Sequence, residues 1–267
     1  MTDHIPMDSL VRRINNEPAV ALLAGRALVL QLAHPAVAHG VEDHSDFRTN
    51  PFKRLRGTAE AMFAIVNGSE ALAAGVGGRI HRIHEHVVGP GYEANRVENL
   101  MWVHATLVDS ALLAYTTFVG ALSAGDVEAF YQDSKLVSEP LGLPVEAHPP
   151  TVDDFRAYFD GMVNSMEVDG VARDLVNFVL RPRLPGHLEV PLRPILGLER
   201  LITYGTTPKR LRAEFGMVWD GRRQRVFDAW VLAIRTANRV QPAAIRSAPA
   251  RLGGELLVRR ARRRLAA

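Results

Sequence analysis

The sequence predicts an all-α fold, a single globular multi-helix bundle with a buried central helix around residues 95–120. Three observations carry that expectation. Apolar side chains recur at i, i+3 and i+4 through nearly every segment, the spacing that lines one face of a helix. Aromatic residues make up only 7% of a chain that is 47% hydrophobic, and Ala and Leu are abundant, a balance that favours helices over sheets. No run of alternating β-branched residues is long enough to read as a strand.

The elements follow in order. "PAVALLAGRALVLQLAH" reads as a mostly apolar helix from Pro18, stopped near Pro35. "NPFKRLRGTAEAMFAIVNG" has Asn50 as N-cap, Pro51 at the first helical position and Asn67-Gly68 as its stop. "SEALAAGVGGRIHRIHEHVVGPG" is the next helix, ended by Gly89-Pro90-Gly91. The longest segment is "ANRVENLMWVHATLVDSALLAYTTFVGALSAG", and "DVEAFYQDSKLVSEPLG", "TVDDFRAYFDGMVNSM" and "GRRQRVFDAWVLAIRTANRV" repeat the helical pattern. The Pro-rich "RPRLPGHLEVPLRP" is too short to mark a boundary, so one domain over 1–267 is expected, with a core of about 18–240 and a basic tail at 250–267.

Residues 99–122 hold Asp109 as their only full charge and are long enough to span a bilayer. His104, Thr106, Ser110, Tyr115, Thr116 and Thr117 make the stretch too polar for a lone span, and it reads as the centre of a bundle. Asp109 then needs a partner, and it either orients a neighbouring donor or pairs with one of the arginines. The chain has no cysteine, which excludes disulfides, thiolate metal sites and cysteine nucleophiles. A net charge of +3 gives no reason to expect nucleic acid as a partner. The N-terminus lacks the apolar region of a secretory signal, and a cytoplasmic location is expected.

Most catalytic signatures are missing. "HEHVV" begins like a zinc-protease motif and then fails, and no histidine has Glu three residues before it, as di-iron bundles require. "HSD" at 44–46 has only the local spacing of a two-His-one-carboxylate iron site. There is no G-x-S-x-G elbow, Walker A loop or dinucleotide fingerprint; "GVGG" at 75–78 lies within a helix. What remains is histidine on apolar helical faces. In "GRIHRIHEHVVG", His84 falls in line with Ile80 and Val87/Val88, while His86 points elsewhere. His104 lies in line with Leu100, Leu107, Val108 and Ala111. Each reads equally as a hydrogen-bonded core histidine; two on successive helices suggest a haem, whose iron needs a neutral imidazole in an apolar slot. His34, before Pro35 at a helix end, is placed to cap carbonyls or to border such a pocket, and His44 to make a turn.

The blocks "ALVLQLAHPAVAHGVEDHSDFRTNPFKRLRGTAEAM", "RIHRIHEHVVG" and "WVHATLVDSALLAY" resemble the MpaB-type oxygenase family, which includes the latex clearing proteins (rubber oxygenases). The resemblance covers roughly residues 18–240. It implies an all-α fold holding haem b, and oxidative cleavage by dioxygen of a carbon–carbon double bond in an isoprenoid chain. It also implies His84 as the axial iron ligand, with His104 as second choice, and Arg54 with Thr58 as the polar set facing dioxygen. Arg54 and Thr58 are one helical turn apart and share a face that Met62 and Ile65 extend. One departure stands out. Latex enzymes have a basic residue immediately before that Thr, where this chain has Gly57.

The resemblance thus implies a haem-dependent oxygenase for a small apolar or isoprenoid substrate. The alternative is a non-catalytic haem-binding protein, or a helical protein that docks on membranes or partners. The docking feature is "RLGGELLVRRARRRLAA", where Arg259, Arg260, Arg262, Arg263 and Arg264 follow an apolar run. Such a tail suits peripheral contact with anionic lipid, and equally a frayed, solvated helix.

Overall fold

The structure is a computed structural model describing residues 3–45, 51–182 and 186–266, without the side chains of 51–55, 186, 188, 243–252 and 266. Short helix α1 (Leu10–Asn15) precedes a 3₁₀ turn (Pro18–Leu23), α2 (Ala24–Ala33) and α3 (Pro35–His44). The segment opened by Pro18 therefore starts as 3₁₀ and becomes α-helical only at Ala24. At His34 the chain bends by 100° between α2 and α3, because the residue before a proline is driven out of the helical region; His34 has φ −81 and ψ 120. Then come α4 (Pro51–Asn67) and α5 (Glu70–His84), an antiparallel pair whose linking Ser69 accepts the Leu72 N–H as N-cap. Asn50, the expected cap of α4, lies outside the described residues.

The helix expected to run through Val88 stops at His84. Beyond it the Gly-Pro-Gly sequence makes a tight turn, Gly91 taking φ 82. The flanking residues pair as a small hairpin, β1 (Val88–Gly89) against β2 (Tyr92–Glu93). A two-residue strand leaves no period-2 signal in a sequence, so nothing announced it.

Helix α6 (Val97–Phe118) is the buried centre that the sequence predicts; Trp102, Ala105, Thr106, Ala114 and Phe118 are fully enclosed. Around it lie α7 (Ala124–Ser138), α8 (Val152–Ser165), α9 (Gly170–Leu180), α10 (Gly186–Thr206), α11 (Lys209–Glu214), α12 (Gly221–Val240) and α13 (Ala243–Ala266). Capping boxes start α7 (Ser123, Asp126) and α8 (Thr151, Asp154). No single described helix is long and apolar enough to cross a membrane.

Trp102 donates its ring N–H to the Leu30 carbonyl at 3.0 Å and stacks on Phe159, so α6 bridges α2 and α8. The partner of Asp109 is Arg26 of α2. Its Nη2 lies 2.6 Å from Asp109 Oδ2, while Nη1 donates to Ser110 Oγ and Nε to the Thr206 carbonyl. The Asp109 contact is an ion pair by distance without hydrogen-bond alignment. One guanidinium, 3% exposed, thus ties α2, α6 and α10.

The tail expected at 250–267 forms part of α13, which packs chiefly on α4. Arg264 lies 2.7 Å from the enclosed carboxylate of Glu60 on α4, with Arg56 at 3.6 Å and Arg260 at 4.0 Å.

Removing one member of a buried pair leaves an uncompensated charge. Asp109→Ala is expected to lower unfolding free energy by about 3 kcal/mol in urea titrations. An Arg26→Met, Asp109→Leu double variant should recover at least half of that loss. Equal loss in both would show that the charge is not what the aspartate serves.

Candidate active site on the α4–α5 hairpin

The two-residue link between α4 and α5 sets the register of this pair. Counting outward from the turn, residue 54 comes level with 83–84, and residue 58 with 79. Arg54, Thr58 and His84, far apart in the chain, therefore share the end of the hairpin away from its turn. The Arg54 side chain lies outside the described residues; Thr58 is exposed and His84 half-buried. The apolar stripe expected to hold His84 is cut short, because the helix ends there; Ile83 and Val88 are both exposed.

The β1–β2 hairpin folds this end of α5 against α3. Tyr92 donates its hydroxyl proton to Asp43 at 2.6 Å and accepts from His44 Nε2 at 3.1 Å; His44 Nε2 also lies 3.2 Å from the Val88 carbonyl. The Asp43 hydrogen bond, then burial, push the Tyr92 phenol up to about 12. Val87 lies against Gly40 of α3, where an added Cβ would meet it at 3.2 Å. His39, further along α3, is held by Asp169 at 2.7 Å, the same carboxylate that caps α9. On the other side, Gly77 permits α5 to touch the 139–141 turn; a Cβ there would lie 1.9 Å from the Pro140 carbonyl oxygen.

His34 and His104 behave differently. His34, at the bend between α2 and α3, keeps a buried Nδ1 with no hydrogen-bond partner among the described residues, and burial lowers its pKa. His104 is enclosed on the other side of α6 from α2. Its Nε2 also lacks a partner, and its ring stands edge-on to His148 at 5.1 Å. Burial, with a smaller contribution from His148, pushes His104 down to about 3. His148 Nδ1 donates to the Pro144 and Val145 carbonyls, so its Nε2 faces Ser138 Oγ at 3.0 Å as acceptor.

No group of three or more metal-ligating side chains occurs among the described residues. A haem iron needs only one imidazole with open space against it. His104 has the nitrogen but is closed in by core and by His148. His84 has the looser surroundings and is level with position 54, while Thr58, one turn nearer the link, is exposed. An imidazole is accessible at the hairpin end, at half-buried His84, and is not accessible at His104. A Cβ added at Gly57 would meet nothing within 4 Å among the described residues.

Two neighbours of the hairpin escaped the sequence reading, Glu60 on α4 and Tyr92 on β2, and so did His148 beside the buried His104. Glu60 alone had a signal, lying in line with Gly57 and Ala64 on one face of α4.

With this geometry in view, comparison with known proteins is informative. Residues 11–236 match the family described as ER-bound oxygenase mpaB/B'/Rubber oxygenase, catalytic domain, and the chain belongs to that family. Its similar relatives include an uncharacterized protein of Mycobacterium tuberculosis and one of Mycobacterium bovis. Each is 28% identical over 232 residues, covering 83% of this chain and 89% of the relative. No solved structure matches it.

The buried His104 generates a pH prediction. Its folded pKa lies below the ordinary 6.5, so between about 6.5 and 3 the unfolded chain binds the extra proton and stability falls with pH. His34 and His148 shift in the same direction. His104→Leu should fold at pH 7 with a change within about 1.5 kcal/mol, and lose stability less steeply between pH 6.5 and 4.5. An unchanged slope would place the acid sensitivity elsewhere.

Proposed function

We propose that the protein is a haem b-dependent oxygenase acting with dioxygen on an apolar substrate, a prenyl-chain lipid being the first candidate. What supports this reading is the hairpin register, which brings positions 54, 58 and 84, assigned by resemblance, to one end of α4–α5. Haem, when bound, supplies iron-centred activation of dioxygen. In this reading His84 holds the iron. Arg54 and Thr58 present a guanidinium and a hydroxyl to dioxygen and to the negative charge that develops on it, the usual work of preorganised donors. His34 offers an unsatisfied nitrogen to a polar edge of the cofactor. Ile83 and Val88 are exposed beside His84, and such apolar surface suits a substrate bound by burial of its surface and oriented by few polar groups.

Protein expressed with a haem supply should show a Soret band. His84→Ala should remove stoichiometric haem while the far-ultraviolet circular dichroism is kept, and His104→Leu should retain it. Loss of haem from the His104 variant alone would overturn the ligand assignment. Arg54→Ala should keep haem but change its visible spectrum and the rate of ferrous autoxidation.

Gly57→Lys tests the departure from the latex enzymes. The open space at Gly57 and the helix preference for lysine over glycine predict a gain of about 0.5–1 kcal/mol in stability. The same variant should shift the haem spectrum, because position 57 is adjacent to Thr58. For substrate, the reduced haem protein incubated with prenyl lipids, fatty acids and phenols should yield aldehydes or ketones from the prenyl lipids. Turnover confined to phenols with peroxide would replace oxygenase by peroxidase.

A further inference from the structure

Helix α12 has two faces. Phe227, Val231 and Ile234 point inward and pack against Ala114, Phe118 and Ile202, and Asn238 donates to the Phe118 carbonyl at 3.0 Å. A second apolar line, Val226, Trp230, Ala233, Ala237 and Val240, follows the alternating four- and three-residue spacing of a continuous helical stripe. All five lie exposed, Trp230 at 43% and Val240 at 76%. A surface tryptophan in such a stripe is a large apolar area left in water, and it marks a contact.

Charge decides which contact. The helix carries five arginines, Arg222, Arg223, Arg225, Arg235 and Arg239, against a single aspartate, Asp228. Arg223 pairs with the N-cap Asp220, while Arg222 and Arg225 have no carboxylate partner among the described residues. These two arginines flank Val226, Ala229, Trp230 and Ala233 on the exposed surface of the helix. Two copies of this helix laid face to face would bring like charges together. An anionic bilayer instead offers phosphates to the arginines and an interfacial layer to the indole.

The C-terminal arginines, which first suggest a membrane surface, are partly engaged elsewhere, because Arg264 and Arg260 turn onto Glu60. We propose that α12 is a membrane-docking helix, which lies on anionic lipid through the Val226–Trp230–Ala233–Ala237–Val240 stripe and is held there by Arg222 and Arg225. This inference stands apart from the haem reading, since it concerns a different surface and needs no cofactor.

The test uses the full chain and vesicles of phosphatidylcholine with or without about one-third phosphatidylglycerol. Co-sedimentation should require the anionic lipid and weaken as salt shortens the reach of the charges. Trp102 is enclosed and Trp219 is hydrogen-bonded to Gln224, so a blue shift on binding should come from Trp230 and vanish in Trp230→Phe. Arg222→Gln with Arg225→Gln should weaken binding roughly tenfold to thirtyfold, and Val226→Ser with Trp230→Ser should abolish it. None of these touches the inward face, and circular dichroism checks that each variant folds. Three results would overturn the proposal. One is no binding; a second is binding that survives these variants but is lost in Arg259→Gln, Arg262→Gln, Arg263→Gln. The third is a lipid-free dimer, seen by light scattering, that the Trp230→Ser change disperses.

Discussion

Arg26 is the constraint around which the bundle is arranged. A guanidinium taken almost wholly out of water must find acceptors in several directions, and this one finds them on two other helices: Asp109 and Ser110 on α6, and the Thr206 carbonyl at the end of α10. Burial lowers its pKa and the Asp109 charge opposes that. Because each partner comes from a fixed position on its helix, the arginine sets how α2 lies across α6. Trp102, bound to the Leu30 carbonyl one turn further along α2, keeps the same alignment. Apolar packing alone tolerates a sliding helix; a buried fork of donors does not.

That alignment carries α3 and the α4–α5 hairpin to their places. The 100° bend at His34 turns α3 away from α2 and toward the β1–β2 hairpin, where Tyr92, Asp43 and His44 close the contact. On the opposite flank α13 lies over α4, with Arg260 and Arg264 on Glu60. The end of α4–α5 that carries positions 54, 58 and 84 is thus supported from one side by hydrogen bonds and from the other by ion pairs, while Thr58 itself is exposed.

The histidines divide by surroundings. The apolar line of His104 places its ring in the core, beside His148, where desolvation keeps it neutral. Its deep burial is what closes it to a cofactor. His84 stands on the same kind of line, but its helix ends at that residue, and the end of a helix is where a side chain meets open space.

The sequence by itself determined most of the helices and the centre of the bundle, though not α10, which runs through the Pro-rich stretch with Pro191 and Pro194 inside it. Repeating apolar positions, Pro51 at a helix start, Asn67-Gly68 at a helix end and the nearly uncharged 99–122 stretch are local signals, and local signals survive in a linear string. It also determined the family, since the motif blocks are contiguous. The tertiary structure alone decided that Arg26, of all the arginines, neutralises Asp109, that Glu60 takes up Arg260 and Arg264, and that Tyr92 joins α3 to the end of α5. It alone decided that His104 is shut and His84 is half open. The reason is the same in each case: partners across an interface are chosen by helix crossing and register, which depend on packing over the whole bundle and leave no periodic trace in either segment.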